Sequence, residues 1–202
     1  MPSPHVLTFS GMQDEVLERV NDPEGDTYSE RAKELLYEGF SSLAIGVKNR
    51  DSIHSLIVAR QIQCGSGDDI GNPYQIKIVG SDNELDGDSV LQIISISDDL
   101  LITSEDATKD LKYIQISIDE AGRMRETDRQ PFFNEVFYYR RGDYLVFHPS
   151  ERMSDQVYTL YYIKGPDEYN DNDDMVKKFS LEFLYKVIDY SVGRIREEQA
   201  GQ

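Results

Sequence analysis

The side chains best suited to chemistry gather in the run Asp82-Asn83-Glu84-Leu85-Asp86-Gly87-Asp88. Oxygen-bearing residues fall at positions 1, 3, 5 and 7 of this run and Gly87 at position 6, the pattern of a calcium-binding EF-hand loop. A complete loop needs a bidentate glutamate at position 12, where this chain has Ile93, and helical flanks, where this chain reads as strand. The run is therefore expected to be a solvated acidic hairpin loop without a resident metal. Gly65-Ser66-Gly67-Asp68-Asp69-Ile70-Gly71 is glycine-rich, but its spacing is not that of a phosphate loop, and Asp68 and Asp69 repel phosphate. His5, His54 and His148 share no ligand or catalytic spacing, and no G-x-S-x-G elbow is present. Cys64 is the single cysteine, which excludes an internal disulfide and a cysteine zinc site; it reads as a small hydrophobe. Arg141-Gly142-Asp143 is good turn chemistry between two tyrosine-rich strands. No catalytic residue and no cofactor is expected.

Charge carries more information. Against 38 Asp and Glu the chain has 21 Lys and Arg, a formal net charge of −17 over 202 residues. That balance argues against a protein that holds nucleic acid by neutralising its phosphates. The charge is also uneven. Residues 61–110 hold eleven acids against Lys77 and Lys109, a net of −9, whereas Arg123, Arg125, Arg129, Arg140 and Arg141 fall within 19 residues. One reading is a solvated face with local ion pairs. The sharper one is a basic patch that docks on an acidic partner, or on the acidic face of a second copy, giving heterologous ring contacts. No apolar run approaches the roughly 18 residues of a membrane span, and Met1-Pro2-Ser3-Pro4-His5 lacks the marks of a signal peptide. A soluble intracellular protein is expected.

The elements that must position these groups begin and end as helices. Ser10 as N-cap and Met12, Val16, Leu17 and Val20 at helical spacing predict a helix over 11–20. Thr27-x-x-Glu30 matches a capping box for a helix over 28–47, with Ala32, Leu35, Leu36, Phe40, Leu43, Ala44 and Val47 on one face. Gly39 and Gly46 within it invite a close neighbour. Residues 52–63 suit either helix or strand. Strands are predicted near 74–79, 90–96, 111–116, 134–140, 143–148 and 156–163, with a short helix from Ser117-x-x-Glu120 to Met124. The closing helix, about 173–198, is expected to start in Asp171-Asn172-Asp173-Asp174. Val176, Phe179, Phe183, Val187, Ser191 and Ile195 form one stripe, and Leu181, Tyr185 and Val192 a second side, so the helix is either central to a bundle or shared with a partner. The fold class is α+β: one domain over 1–202, a helical bundle from both chain ends (about 10–48 and 173–198) with an inserted antiparallel β-sheet or sandwich region over about 55–165.

The C-terminal half resembles a known family. Pro131-Phe132-Phe133 precedes a tyrosine-bearing strand, followed by the turn Gly142-Asp143 and the strand Tyr144-Leu145-Val146-Phe147-His148-Pro149. Then come the strand Tyr158-Thr159-Leu160-Tyr161-Tyr162-Ile163, Gly165-Pro166, an acidic loop and a long closing helix. With the two opening helices, this order resembles the head-to-tail adaptor (connector or neck ring) proteins of short-tailed bacteriophages. The long acidic middle, 65–110, departs from that pattern, and the chain ends soon after its last helix. The resemblance implies a non-enzymatic virion protein of the neck, assembled in the host cytoplasm. It implies a twelve-membered ring of identical subunits that docks on the portal, extends the DNA channel and offers a platform to the next tail or neck protein.

On that footing Arg123, Arg125, Arg129, Arg140 and Arg141, with Leu181, Tyr185, Val192 and Arg196, are the candidate interface residues. Asp82, Glu84, Asp86 and Asp88 are candidate channel-lining acids, since an acidic lumen lets genome DNA pass without binding it. The alternatives are another tail-completion or assembly protein and, from the Asp-rich loops, a metal-dependent hydrolase.

Overall fold

The computed structural model describes residues 7–22, 24–63, 75–80, 85, 87–97, 111–126, 131–132, 134–148 and 157–201. The chain folds as two compact units. One joins Met1–Ile57 to Gly165–Gln202, and the other is the continuous segment Val58–Lys164.

Short polar residues decide where the helices of the first unit begin. Thr8, not Ser10, caps α1 (Phe9–Arg19): its Oγ1 accepts from the Gly11 amide at 3.0 Å, which places Ser10 inside the first turn. The second helix, α2 (Ser29–Gly46), starts too late for Thr27 and Glu30 to form the expected capping box. Asp22 Oδ2 takes the amides of Thr27 and Tyr28 instead, at 3.1 and 2.8 Å. The ambiguous stretch resolves as a short 3-10 helix, Arg50–Leu56, running into β1 (Ile57–Gln63). The closing helix also starts late. Asp174 caps a single 3-10 turn, Met175–Lys177, and Ser180 caps the helix proper, its Oγ accepting from Phe183 at 3.3 Å.

The last long helix of the chain runs from Leu181 to Ala200 and, after a short third helix in the other unit, is α4. It buries Phe183, Leu184, Val187, Ile188, Ser191, Val192 and Ile195 against α1 and α2. Those helices supply Phe9, Met12, Val16, Leu17, Ala32, Leu35, Leu36, Phe40 and Ala44. Aromatic rings close the core, with Phe40 and Phe179 4.9 Å apart and Tyr37 stacked on Tyr169 at 5.9 Å. The buried Ser191 hydroxyl is satisfied by the Val187 carbonyl at 3.0 Å.

The second unit contains β1, β2 (Gln75–Lys77), β3 (Val90–Ser97), β4 (Lys112–Gln115), α3 (Ile118–Glu126), β5 (Glu135–Arg141), β6 (Tyr144–His148) and β7 (Val157–Lys164). They build a three-stranded sheet in the order β1-β7-β3 and a four-stranded sheet in the order β2-β6-β5-β4. Alternation sends Ile62, Val90, Ile96, Tyr158, Leu160 and Tyr162 from one sheet, and Ile76, Val136, Tyr138, Leu145 and Phe147 from the other, into one shared core. Phe147 and Tyr158 meet across it edge to face at 5.4 Å. The expected antiparallel pairing holds for β2–β6, β3–β7 and β5–β6, but β4 lies parallel to β5. A parallel neighbour requires a crossover, and α3 provides it. It packs on the outer face of the four-stranded sheet, where Ala121 meets Tyr139 and Val146. Ser117 Oγ accepts from Glu120 N at 3.1 Å, the cap its sequence predicts.

Candidate functional site

The arginines do not form one patch. Arg140 and Arg141 are consecutive on β5, so their side chains leave opposite faces of the sheet. Arg140 pairs in register with Leu145, a residue of the inner core. At the rim of the sandwich its Nη1 donates to the Val90 carbonyl on the facing sheet at 3.3 Å, and its Nε donates to the Gly142 carbonyl at 3.1 Å. Arg140 is thus a strut between the two sheets. Arg141 pairs with Tyr144 on the outer face and is exposed. Gly142, at φ 60°, makes the tight turn that sets this register. Arg123 lies exposed on α3, the helix packed on that same outer face. The Arg125 side chain and the whole of Arg129 lie outside the described residues.

Sequence alone did not point to a third cation. Lys77 on β2 pairs with Tyr144 from the other side, so Lys77, Tyr144 and Arg141 form one cross-strand row over three strands. Their inner-face neighbours Ile76 and Leu145 are buried in the core, which fixes the row as outward-facing. The alternation of Gln75-Ile76-Lys77 held the signal, but only the register connects it to Arg141.

Asp88 is not a free channel acid. Its Oδ2 accepts from the Tyr162 hydroxyl at 2.7 Å and lies 3.9 Å from Arg60 Nη2, so one carboxylate ties together β1, β7 and the entry to β3. Its side chain is only 19% exposed. Burial, then the bond to Asp88, pushes the Tyr162 phenol far above its ordinary value. Asp82, Glu84 and Asp86 lie outside the described residues, as do His5, Cys64 and the loop from Gly65 to Gly71. Ile93, at the twelfth position of the calcium-like run, sits in β3 opposite Tyr162 and packs on the core, so it presents no ligand oxygen.

On α4, Leu181 and Tyr185 stand one turn apart and are 46% and 48% exposed. Val192, expected on the same free side, is buried in the helical core and drops out as a surface residue. Around the helix axis it falls between Leu181 and Tyr185, so its burial comes from its place farther along α4 and not from a different face. Arg196 Nη2 donates to the Arg19 carbonyl at 2.9 Å and so closes the C-terminal end of α1 onto α4. Around it, Arg19 bridges Glu15 and Asp189, and Arg31 bridges Glu34 and Glu198. The Glu198 carboxyl is held below the ordinary range chiefly by its hydrogen bonds from Arg31.

A groove of about 320 Å³ lies where the end of α2 meets the start of α4, with Ser42, Gly46, Asn49, Ser52, Phe183 and Lys186 among its lining. Its charged groups, Glu182 and Lys186, are paired to each other at 2.7 Å. His54 bridges backbone, its ring nitrogens 3.1 Å from the Asp51 carbonyl and 3.2 Å from that of Lys177. Among the described residues no cluster of His, Cys, Asp or Glu is gathered for a metal ion, and no helix is long and apolar enough to cross a membrane. No family model matches the chain, and no curated protein sequence matches it.

Proposed function

We propose that this chain is a non-enzymatic structural protein of the virion neck. It is a head-to-tail adaptor that docks on the portal as a twelve-membered ring of identical subunits. The ring extends the DNA channel and offers a platform to the next tail component. The observation that carries this reading is the order of elements: two opening helices and a closing helix share one core, and a sandwich is inserted between them. That is the element order on which the family resemblance rests. Two further features support it. Leu181 and Tyr185 leave apolar surface open on α4, on a helix otherwise committed to its own core, as a docking helix requires. The charge of −17 gives a ring of twelve roughly −200 formal charges, a surface along which DNA slides rather than sticks.

The test is direct. Purified chain is mixed with portal rings and the product is imaged by electron microscopy. A ring of defined symmetry stacked on the portal is the expected result. Absence of any portal complex under conditions where both components are folded sinks the proposal.

A further inference from the structure

We infer that His54 is a proton-operated staple: as an imidazolium it fastens the 3-10 helix Arg50–Leu56 to the turn from which α4 starts, and as a neutral imidazole it lets one side go. Its Nδ1 lies 3.1 Å from the Asp51 carbonyl oxygen and its Nε2 3.2 Å from the Lys177 carbonyl oxygen. Carbonyl oxygens only accept. A neutral imidazole has one N–H and one lone pair, so it donates to one of the two and turns its lone pair on the other. The imidazolium has two N–H groups and satisfies both. Histidine changes between these forms within about pH 5 to 8. Nothing in this device depends on the adaptor reading.

The place of the staple gives it leverage. Lys177 ends the 3-10 turn that Asp174 caps, and Ser180, three residues on, caps α4. The Ser180 amide donates to the Ser52 carbonyl at 3.1 Å. His54 adds a second fastening between the same two segments, this one made by a side chain that titrates. Because α4 opens with Leu181, the staple governs the end of the helix on which Leu181 and Tyr185 stand exposed. The charges on the elements it joins leave the two carbonyls in control. On its own helix Arg50 and Asp51 have opposite signs. On the facing turn Lys177 pairs with Asp174 and Lys178 with Asp173, each at 3.2 Å. At the start of α4 Glu182 pairs with Lys186 at 2.7 Å. Each of these sets sums to zero. Lys48, on the link from α2, opposes a proton on His54 but is exposed, where water and salt screen it. His54 is itself exposed, so water replaces the carbonyl it lets go, and the effect is a few-fold bias rather than an on-off lock.

Urea unfolding of the full chain from about pH 5.5 to about pH 8, wild type beside His54→Gln, tests the staple. Glutamine fills the position and does not titrate. The advantage of the wild type is present while the imidazole is protonated and is lost as pH rises, so the ratio of the two folding constants is expected to fall by about threefold across that range. His5 and His148 are common to both proteins and cancel in the ratio. The lowered carboxyls of Asp173, Glu182 and Glu198 act below this window and with the opposite sign, so they do not imitate the effect. Hydrogen exchange on the wild type alone gives a local reading. Protection of the Lys178, Phe179 and Ser180 amides is expected to fall by about threefold over the same range, while that of Leu36 and Phe40 inside α2 holds. If His54→Gln fails to fold, this second measurement decides alone. A ratio that stays constant or rises with pH overturns the inference, and so does protection next to Ser180 that falls no more than protection inside α2.

Discussion

Gly39 on α2 lies so close to Val187 on α4 that a Cβ added to it would sit 3.2 Å from Val187 Cγ1, and 3.1 Å from Tyr190 Cδ1. The two helices are in contact because position 39 has no side chain. Tyr190 is further held by donating its hydroxyl proton to Glu38, so the ring is not free to swing aside. Gly39→Ala should lower stability by about 1 kcal/mol, the overpacking of a rigid site outweighing the gain in helix propensity. Gly193→Ala on α4, where nothing lies within 4 Å, should raise it by about 0.5–1 kcal/mol. Urea unfolding of the two variants checks both signs. Gly46, expected from its sequence to admit a close neighbour, also has open space around it.

Arg140 and Arg141 should separate by readout. Arg140→Ala removes the strut to the Val90 carbonyl and is expected to cost about 1 kcal/mol of stability. Arg141→Ala should leave the thermal midpoint nearly unchanged. Equal midpoints for the two variants would show that the split across the sheet has no energetic consequence.

Leu181→Asp and Tyr185→Asp should fold like the wild type, because both side chains already stand half in solvent, and should lose portal capture. Val192→Asp places a charge in the helical core and should fail to fold or melt far earlier. Circular dichroism and portal co-sedimentation, run side by side, distinguish loss of surface from loss of structure.

The pH dependence has a sign at each end. Burial raises the phenols of Tyr162, Tyr169 and Tyr138 above the value of 10.0 they have when unfolded. Above about pH 10 the unfolded chain therefore sheds protons that the native chain keeps, and stability falls as pH rises. Tyr162→Phe should flatten that alkaline slope in urea midpoints measured from pH 8 to 11. At the acid end, hydrogen bonds from Lys178, Lys186 and Arg31 hold Asp173, Glu182 and Glu198 below their ordinary values of 3.8 for the aspartate and 4.5 for the glutamates. Their contribution is present above those values and is lost as pH falls through the lowered native ones. Glu198→Gln should remove part of the acid-side slope.

What could be read from the residues was what depends on period. Ala32, Leu35, Leu36, Phe40 and Ala44 of the expected α2 stripe are buried, and so are Phe183, Val187, Ser191 and Ile195 of the expected α4 stripe. Boundaries were harder. Asp171, Asp173, Asp174 and Ser180 are all competent caps, and only the packing of Met175 and Phe179 decides that α4 waits for Ser180. Thr27 lost its capping role to Asp22, whose carboxylate arrives through a loop rather than along the helix. The candidate site suffered most, since it depends on register. Consecutive arginines look like one patch in a sequence, and Lys77 stands more than sixty residues from its row partners.

The helical unit is made from both ends of the chain, and that sets an order of events during synthesis. The sandwich is contiguous from Val58 to Lys164, so every partner it needs has been made before α4 begins. α1 and α2 are made before it and can pack on each other, but the surfaces that meet α4 stay open until that helix is made. A folded sandwich holds its two ends at fixed positions and so shortens the effective loop that α4 must close to reach α2. The unit that is divided in sequence is therefore completed after the sandwich, although its first two helices precede the sandwich in the chain.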